Sequence, residues 1–128
     1  MQSLSRLATV LAVGVVLIVA ANVISVARQS AKPPRGYIVV QADVTDPTRY
    51  AEYAKLTPDI VAKYGGRFLA RAGRTATLEG PAAKGRVVVI EFPSFEAAEQ
   101  FYRSPEYTAA RKLREGAASA QFVAVEGL

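Results

Sequence analysis

Glu91 is a carboxylate within an apolar, β-branched run, Arg86–Phe92. Side chains of a β-strand alternate between its two faces, so Glu91 shares a face with Val87 and Val89. Alternation on two other predicted strands adds three polar side chains to that face: Tyr37, Gln41 and Arg71. Polar groups converging in apolar surroundings are typical of a pocket, where a carboxylate has a raised pKa and can act as a general base. We predict a ligand site here, with Glu91 as the candidate catalytic residue.

The same residues also have a purely structural interpretation. Glu91 and Arg71 can form an ion pair with each other, or lie at the rim of a subunit interface. A second candidate ligand-binding group surrounds the Ser104-Pro105 dipeptide and consists of Tyr102, Tyr107 and Arg111. Arg111 follows Tyr107 by four residues, so the two share one helix face. That face can bind an anion or simply face solvent.

The chain contains no Cys and no His. The lack of Cys excludes disulfides, thiol catalysis and thiolate metal sites. The lack of His removes the commonest general base and the usual ligand of zinc, copper and haem. We therefore expect no cofactor and no metal site.

The formal net charge of +5 is concentrated before the predicted domain. Four of the 16 basic residues precede Gly36, which leaves 12 to face all 11 acidic residues. Binding of nucleic acid requires clustered Lys and Arg that displace counterions from phosphates. The nearly neutral domain therefore predicts no nucleic-acid partner.

A strand that feeds a helix is the centre of the predicted domain. The pattern is β-α-β-β-α-β, the α+β arrangement of ferredoxin-like folds, with the first and third strands in the sheet centre. Asp46 and Ser94 are predicted helix caps, and Pro58 is expected to kink or divide the first helix. The predicted strands are Tyr37–Val44, Arg67–Ala72 (extended by Arg74–Glu79), Arg86–Phe92 and Gln121–Glu126, and the predicted helices are 46–64, Ser94–Arg103 and Pro105–Glu115.

The two faces of this predicted sheet are both apolar. Val88, Ile90 and Phe92 are expected to lie under the helices. The opposite face still carries apolar side chains that water would solvate poorly: Val39, Leu69, Val87 and Val89. Exposed patches of this kind usually mark an interface, so we predict a homodimer with two sheets packed face to face.

Residues 7–27 form an uncharged stretch of 21 residues, long enough for a helix to cross a bilayer. We interpret residues 1–28 as a membrane anchor or a signal peptide cleaved after Ala21 or Ala27, and 29–35 as a linker to the domain at 36–128. The flanking basic residues favour a cytoplasmic domain, whereas a short N-terminal span before a small domain favours export. We expect a membrane-anchored or exported protein of the cell envelope or periplasm.

Many short motifs occur in order from Gly36 to the C-terminus. They include GYIVVQADV at 36–44, KYGGRF at 63–68, LEG at 78–80, VVIEFPS at 88–94 and SPEY at 104–107. Together they resemble the domain of unknown function 1330 family. The resemblance implies a dimeric α+β barrel with the two sheets face to face. It implies no agreed reaction, substrate or catalytic residues.

These inferences lead to two functional hypotheses. The first is a homodimeric domain, anchored to the membrane or exported, that binds a small organic molecule in a pocket on the sheet face. The alternative is a cofactor-independent enzyme, similar to oxygenases or isomerases on related barrels, with Glu91 as its general base.

Overall fold

The computed structural model describes residues 31–128. Four strands form one antiparallel sheet in the order β2-β3-β1-β4, and the helices cover one of its faces. The predicted β-α-β-β-α-β order is confirmed, with β1 and β3 in the sheet centre. The elements are β1 (Gly36–Val44), α1 (Pro47–Lys63), β2 (Arg67–Arg71), β3 (Arg86–Phe92), α2 (Phe95–Arg103), α3 (Pro105–Lys112) and β4 (Ala118–Glu126).

The predicted membrane segment at residues 7–27 lies outside the described part of the chain. Within residues 31–128, no helix has both the length and the apolar character that a bilayer span requires.

The core lies between the sheet and its three helices, because alternation directs one apolar set from each central strand to that side. The third strand contributes Val88, Ile90 and Phe92, as predicted. The helices complete the core with aromatic rings, and Phe101 stacks on both Phe92 and Tyr107 at centroid distances of 5.1 and 4.5 Å. The other face of the sheet, here called the open face, is not covered by any element of residues 31–128.

Helix α1 starts as predicted, because the Asp46 side chain accepts a hydrogen bond from the Arg49 backbone N–H at 3.1 Å. Pro58 does not divide the first helix, since α1 is continuous from Pro47 to Lys63. Proline lacks the N–H that would bond the carbonyl of Ala54. Two side chains replace it: Thr57 Oγ1 donates to that carbonyl at 3.1 Å and Arg71 Nη2 at 2.7 Å.

The predicted extension of β2 over Arg74–Glu79 is wrong. The strand ends at Arg71, and Ala72 adopts a positive φ of 54° that turns the chain out of the sheet. Residues 72–85 form a loop that closes on itself, since the Ala83 N–H donates to Thr77 Oγ1 at 3.0 Å.

The C-terminal half differs from the prediction at one junction. Helix α3 ends at Lys112 rather than Glu115, and β4 begins at Ala118 rather than Gln121. Gly116 has a φ of +74° and reverses the chain between them. The carbonyl of Ala117 then accepts the backbone N–H groups of Thr45 and Asp46 at 2.9 and 3.0 Å. These bonds allow β4 to pair with the whole of β1.

Candidate functional site

Glu91 lies on the open face between two partners that it meets directly across the sheet. Its register neighbours are Tyr37 on β1 and Arg67 on β2. Arg67 Nε donates to Glu91 Oε1 at 2.9 Å, and the Tyr37 hydroxyl donates to Oε2 at 3.3 Å. Glu91 is therefore held as one member of a hydrogen-bonded ion pair.

The pKa of Glu91 is lowered from its ordinary value, chiefly by the hydrogen bond from Arg67 and further by that from Tyr37. The sequence-based expectation of a raised pKa is wrong. That expectation considered the apolar surroundings but not the guanidinium on the neighbouring strand. A carboxylate with a lowered pKa is a poor general base, because it gains little by accepting a proton.

Arg71 does not lie on the open face, where the sequence prediction placed it. The register of β2 shifts between Phe68 and Ala70, so that Leu69 has no paired residue on β3. Such a bulge adds one residue and reverses the alternation that follows it. Arg71 consequently reaches the helix side, where its Nη2 donates to Ala54 O at 2.7 Å and to Thr57 Oγ1 at 3.3 Å.

Gln41 lies on the open face, as predicted, but away from Glu91. It pairs with Val87 at the opposite end of β1, about 13 Å along the strand from Tyr37. There it borders an open cleft under the 72–85 loop, whose lining includes Leu78 and Glu79. The four residues predicted to form one site thus occupy three different places.

An enclosed cavity of about 40 Å³ lies on the helix side, between α1 and the sheet. Its walls are mostly apolar and aromatic, and its polar groups come from tyrosine, threonine and arginine side chains. The lining residues that contribute polar atoms are Tyr50, Tyr53, Thr57, Arg71, Arg86 and Tyr107. A small apolar cavity with a few polar groups has the general character of a ligand site.

Two tyrosine hydroxyls meet in the wall of this cavity. The oxygens of Tyr53 and Tyr107 lie 2.7 Å apart, and both side chains are buried. Burial raises the pKa of each hydroxyl above its ordinary value. Both hydroxyls are therefore protonated at neutral pH. Since one bond between them uses one proton, the other proton is available to an acceptor.

A half-buried cation, Arg114, lies close to this pair. The Arg114 guanidinium stands 5.5 Å from the Tyr53 ring centroid and 4.8 Å from that of Phe122. Its Nε is buried and has no hydrogen-bond partner among the described residues. A cation over two aromatic faces is attracted by their negative π-surfaces, which offsets part of the missing hydrogen bond.

The second predicted group is divided by the structure. Tyr107 lines the enclosed cavity, whereas Tyr102 borders a separate shallow cleft beside Phe122. The Arg111 guanidinium lies 5.1 Å above the Tyr102 ring. Arg111 and Tyr102 thus form a cation–π pair outside the cavity.

The mouth of the cavity is formed by Arg71 and Arg86. Both line the enclosed cavity and also an outer cleft along the N-terminal half of α1. The Arg86 guanidinium lies 4.9 Å from the Tyr50 ring centroid. Sequence reasoning did not select Arg86, Tyr53 or Arg67 for a site. Arg67 was detectable, because simple alternation places it on the face of Glu91.

No group of three or more Asp, Glu, His or Cys side chains that could bind a metal ion occurs within residues 31–128. The polar atoms of the cavity are hydroxyls and guanidinium groups, which suit an organic ligand with hydrogen-bond acceptors better than a cation.

The sequence profile of one protein family, described as domain of unknown function (DUF1330), matches residues 35–128. No curated protein matches the chain. Solved structures share its fold at low identity. Protein RPA0582 of unknown function from Rhodopseudomonas palustris is 21% identical, with a TM-score of 0.59, over 84% of this chain and 92% of that chain.

Two further solved structures are similar. A protein of unknown function from Bacteroides fragilis, described as dimeric and ferredoxin-like, is 16% identical, with a TM-score of 0.50, over 72% of this chain and 95% of that one. The Arabidopsis thaliana protein At3g17210 is 17% identical, with a TM-score of 0.54, over 77% and 91%. At these identities the similarity concerns the fold.

Proposed function

This chain belongs to the DUF1330 family, and from the geometry of its own residues we propose that it is a homodimer that binds a small organic molecule in the cavity under α1. The sequence placed the pocket on the open face. We place it on the helix side, because the cavity there presents hydrogen-bond donors of the tyrosine pair and of Arg71 that find no acceptor among residues 31–128.

The observation that carries this proposal is the Tyr53–Tyr107 hydroxyl pair in the cavity wall. A pair of neutral hydroxyls joined by one bond has one proton left over. An unsatisfied donor in an enclosed apolar site costs free energy, and a ligand carbonyl or carboxylate oxygen removes that cost. The ligand class is therefore an organic molecule with at least one acceptor oxygen.

The size of the cavity limits how such a ligand binds. A volume of about 40 Å³ holds a few water-sized groups. A larger ligand must extend through the mouth into the outer cleft along α1, which offers a further volume of about 440 Å³. We therefore propose that one end of the ligand enters the cavity while the rest lies in the cleft.

The open face supports the homodimer. Leu69, Val123 and Val125 are each nearly half exposed there, and Val123 pairs with Val39 in the middle of the sheet. Such a patch is poorly solvated, and a second copy of the same sheet would bury it by two-fold symmetry. The Bacteroides fragilis protein with the same fold is described as dimeric, which favours a second copy as the occupant.

The loop at residues 72–85 is consistent with the same dimer. Leu78 at its tip is 96% exposed, which is unusual for a leucine in a protein that remains a monomer. The loop begins and ends at the sheet and its residues border the open face near Gln41. We propose that Leu78 packs against the second copy.

The alternative is a cofactor-independent enzyme, oxygenase- or isomerase-like, that uses Glu91 as its base. The observation in its favour is that Tyr37 and Arg67 fix the carboxylate in one position. The lowered pKa of Glu91 weighs against it. The Glu91→Gln variant separates the hypotheses, because an enzyme that needs this base loses turnover while it still binds ligand.

We also propose that the chain is directed to the cell envelope by residues 7–27, whether they are retained as an anchor or removed. The support is their uncharged, apolar sequence between Arg6 and Arg28. Mass spectrometry of the mature chain distinguishes the two cases, and recovery of the full-length chain in a soluble cytoplasmic fraction would contradict both.

A thermal-shift screen of small oxygen-containing organic molecules tests the binding proposal, since a ligand of the folded state raises the melting temperature. The double variant Tyr53→Phe with Tyr107→Phe removes both hydroxyls and should weaken binding of a hit about tenfold, the usual cost of one lost hydrogen bond. Tyr102→Phe is the matched control, because Tyr102 lies outside the cavity. The proposal fails if no molecule stabilises the protein, or if the double variant binds a hit as tightly as the unmodified chain does.

A further inference from the structure

We infer that the ligand is a small organic carboxylate, and that Arg71 and Arg86 hold its carboxylate group at the mouth of the cavity. This inference rests on the proposed function and adds the chemical class of the ligand. Its basis is the placement of two guanidinium groups where the enclosed cavity meets the outer cleft.

Arg71 is fixed at the mouth by the carbonyl oxygen of Ala54. This oxygen lacks its usual helical donor, because Pro58 has no N–H. Arg71 Nη2 donates to Ala54 O at 2.7 Å and to Thr57 Oγ1 at 3.3 Å. A guanidinium group has five N–H donors, and these two bonds use only one nitrogen. The remaining donors have no protein acceptor in the described structure, so Arg71 is both anchored and free to bind an anion.

Arg86 reaches the same place from the neighbouring strand. Arg71 pairs with Val88, and Arg86 lies two residues before Val88 on the same face, which makes the two arginines diagonal neighbours. Long side chains at diagonal positions are within reach of each other. The ring of Tyr50, 4.9 Å from the Arg86 guanidinium, supports that side chain from α1.

The two arginines lack an acidic partner within residues 31–128. The ion pairs found there join other residues, such as Arg67 with Glu91 and Lys55 with Glu52. The walls of the cavity and the outer cleft contain no carboxylate. Two like charges held close together are repulsive, and a bound anion relieves that repulsion.

The cavity behind the mouth indicates which anion binds. Guanidinium groups match carboxylates and phosphates in geometry, so the two arginines alone do not distinguish them. The cavity walls beyond the arginines are apolar, with Val40, Val88 and Ile90 on the sheet side. Inorganic phosphate gains nothing from such walls, whereas an organic acid buries its hydrocarbon part against them and presents a second oxygen to the Tyr53–Tyr107 pair.

The test compares acids with neutral molecules of the same shape on the full-length chain. Levulinate, 4-hydroxybenzoate and 4-hydroxyphenylacetate each carry a second oxygen for the tyrosine pair. Each is paired with the corresponding amide, and inorganic phosphate is included, in thermal-shift and calorimetric titrations. We expect at least one acid to bind ten or more times more tightly than its amide. We also expect its affinity to fall as salt is raised.

Variants assign the effect to the arginines. Arg86→Met keeps the apolar stem and should reduce the acid-to-amide ratio at least tenfold, whereas Arg74→Met, in the 72–85 loop, should leave it unchanged. Arg71→Lys keeps a charge but removes the planar fork and should also reduce the ratio. It is preferred to Arg71→Met, because the lysine can still donate to Ala54 O and preserve α1.

The outcomes separate this inference from the proposal on which it rests. If amides bind as tightly as acids, the carboxylate assignment is overturned and the binding cavity stands. If neither stabilises the protein, both are overturned. Phosphate binding as tight as that of the best acid would overturn the organic-acid assignment, and an unchanged ratio in Arg86→Met would overturn the role of Arg86.

Discussion

The hydroxyl oxygens of Tyr53 and Tyr107 lie 2.7 Å apart, and their hydrogen bond joins α1 to α3 across the core. Both rings are also packed edge-on at a centroid distance of 6.2 Å. The pair connects two helices, and in the proposed function it also supplies the donor to the ligand.

Tyr53→Phe should lower the free energy of unfolding by about 1–3 kcal/mol, because it leaves the buried Tyr107 hydroxyl without its partner. The double variant with Tyr107→Phe should cost less than the sum of the single changes, since it leaves neither hydroxyl unpaired. Urea unfolding measures each value. Tyr102→Phe is the control and should stay within about 0.5 kcal/mol. Strict additivity of the two changes would contradict the pairing.

Glu106 is expected to make stability depend on acid pH. The hydrogen bond from Lys63 lowers its pKa to about 2, and the Tyr64 hydroxyl donates to its other oxygen at 3.0 Å. A lowered pKa contributes stability above the unfolded-state value of 4.5, and this contribution is lost as the pH falls toward 2. The difference in melting temperature between the unmodified chain and Glu106→Gln should therefore shrink over that interval.

The control for this prediction is Glu52→Gln, on an exposed ion pair within α1. Exposed pairs of this kind contribute little to stability. If the pH dependence for Glu52→Gln is as strong as that for Glu106→Gln, the ion pair of Glu106 with Lys63 is not the source of the acid sensitivity.

Gly85→Ala should destabilise the pairing of β1 with β3. Gly85 has a φ of +67°, and an added Cβ would lie 2.0 Å from the Ala42 carbonyl oxygen. Strain and steric overlap of this kind cost on the order of 1–3 kcal/mol or more. Gly73→Ala is the matched control, because nothing lies within 4 Å of its Cβ position and its φ is not in the left-handed range. Chemical unfolding of both variants checks the difference.

Val123→Glu should convert the proposed dimer into a monomer, because it places a carboxylate on the open face, beside Val39, where the second copy is proposed to pack. Light scattering on residues 29–128 measures the mass. Leu56→Glu is the control, since Leu56 is exposed to a similar degree, 46% against 49%, but lies on α1. A monomeric unmodified domain, or loss of the dimer in both variants, would contradict an interface on the open face.

The elements that the sequence predicted well are those set by local chemistry. Ser94 and Ser104 each accept a backbone N–H at 3.1 Å and cap the helices that follow them. Gly65 has the left-handed φ of 74° that ends α1. The alternation of β1 and β3 also identified the core face, because both strands are regular and central.

The candidate site was less predictable, since it depends on a departure from regularity. Alternation assigned Arg71 to the face of Glu91, and the unpaired Leu69 reverses that assignment. The carbonyl of Ala54 that Pro58 leaves without a partner is also bonded by Arg71, which is 17 positions from Ala54 in the sequence. A local sequence pattern does not predict this bond, because it joins a strand to a helix and forms only when the two have packed together.

The bulge at Leu69 has a further consequence for how relatives of this chain are compared. Because β3 pairs with the residues on either side of Leu69 and not with Leu69 itself, a homologue that lacks this one position would keep its equivalents of Arg67 and Arg71 on the same faces as here. A gap at position 69 in an alignment is then neutral for the cavity, whereas counting along the strand without a gap assigns the arginine to the wrong surface. Sequences that differ in the length of this edge strand should therefore be aligned by their pairing with β3. Only then does an arginine at the end of the strand indicate a shared ligand.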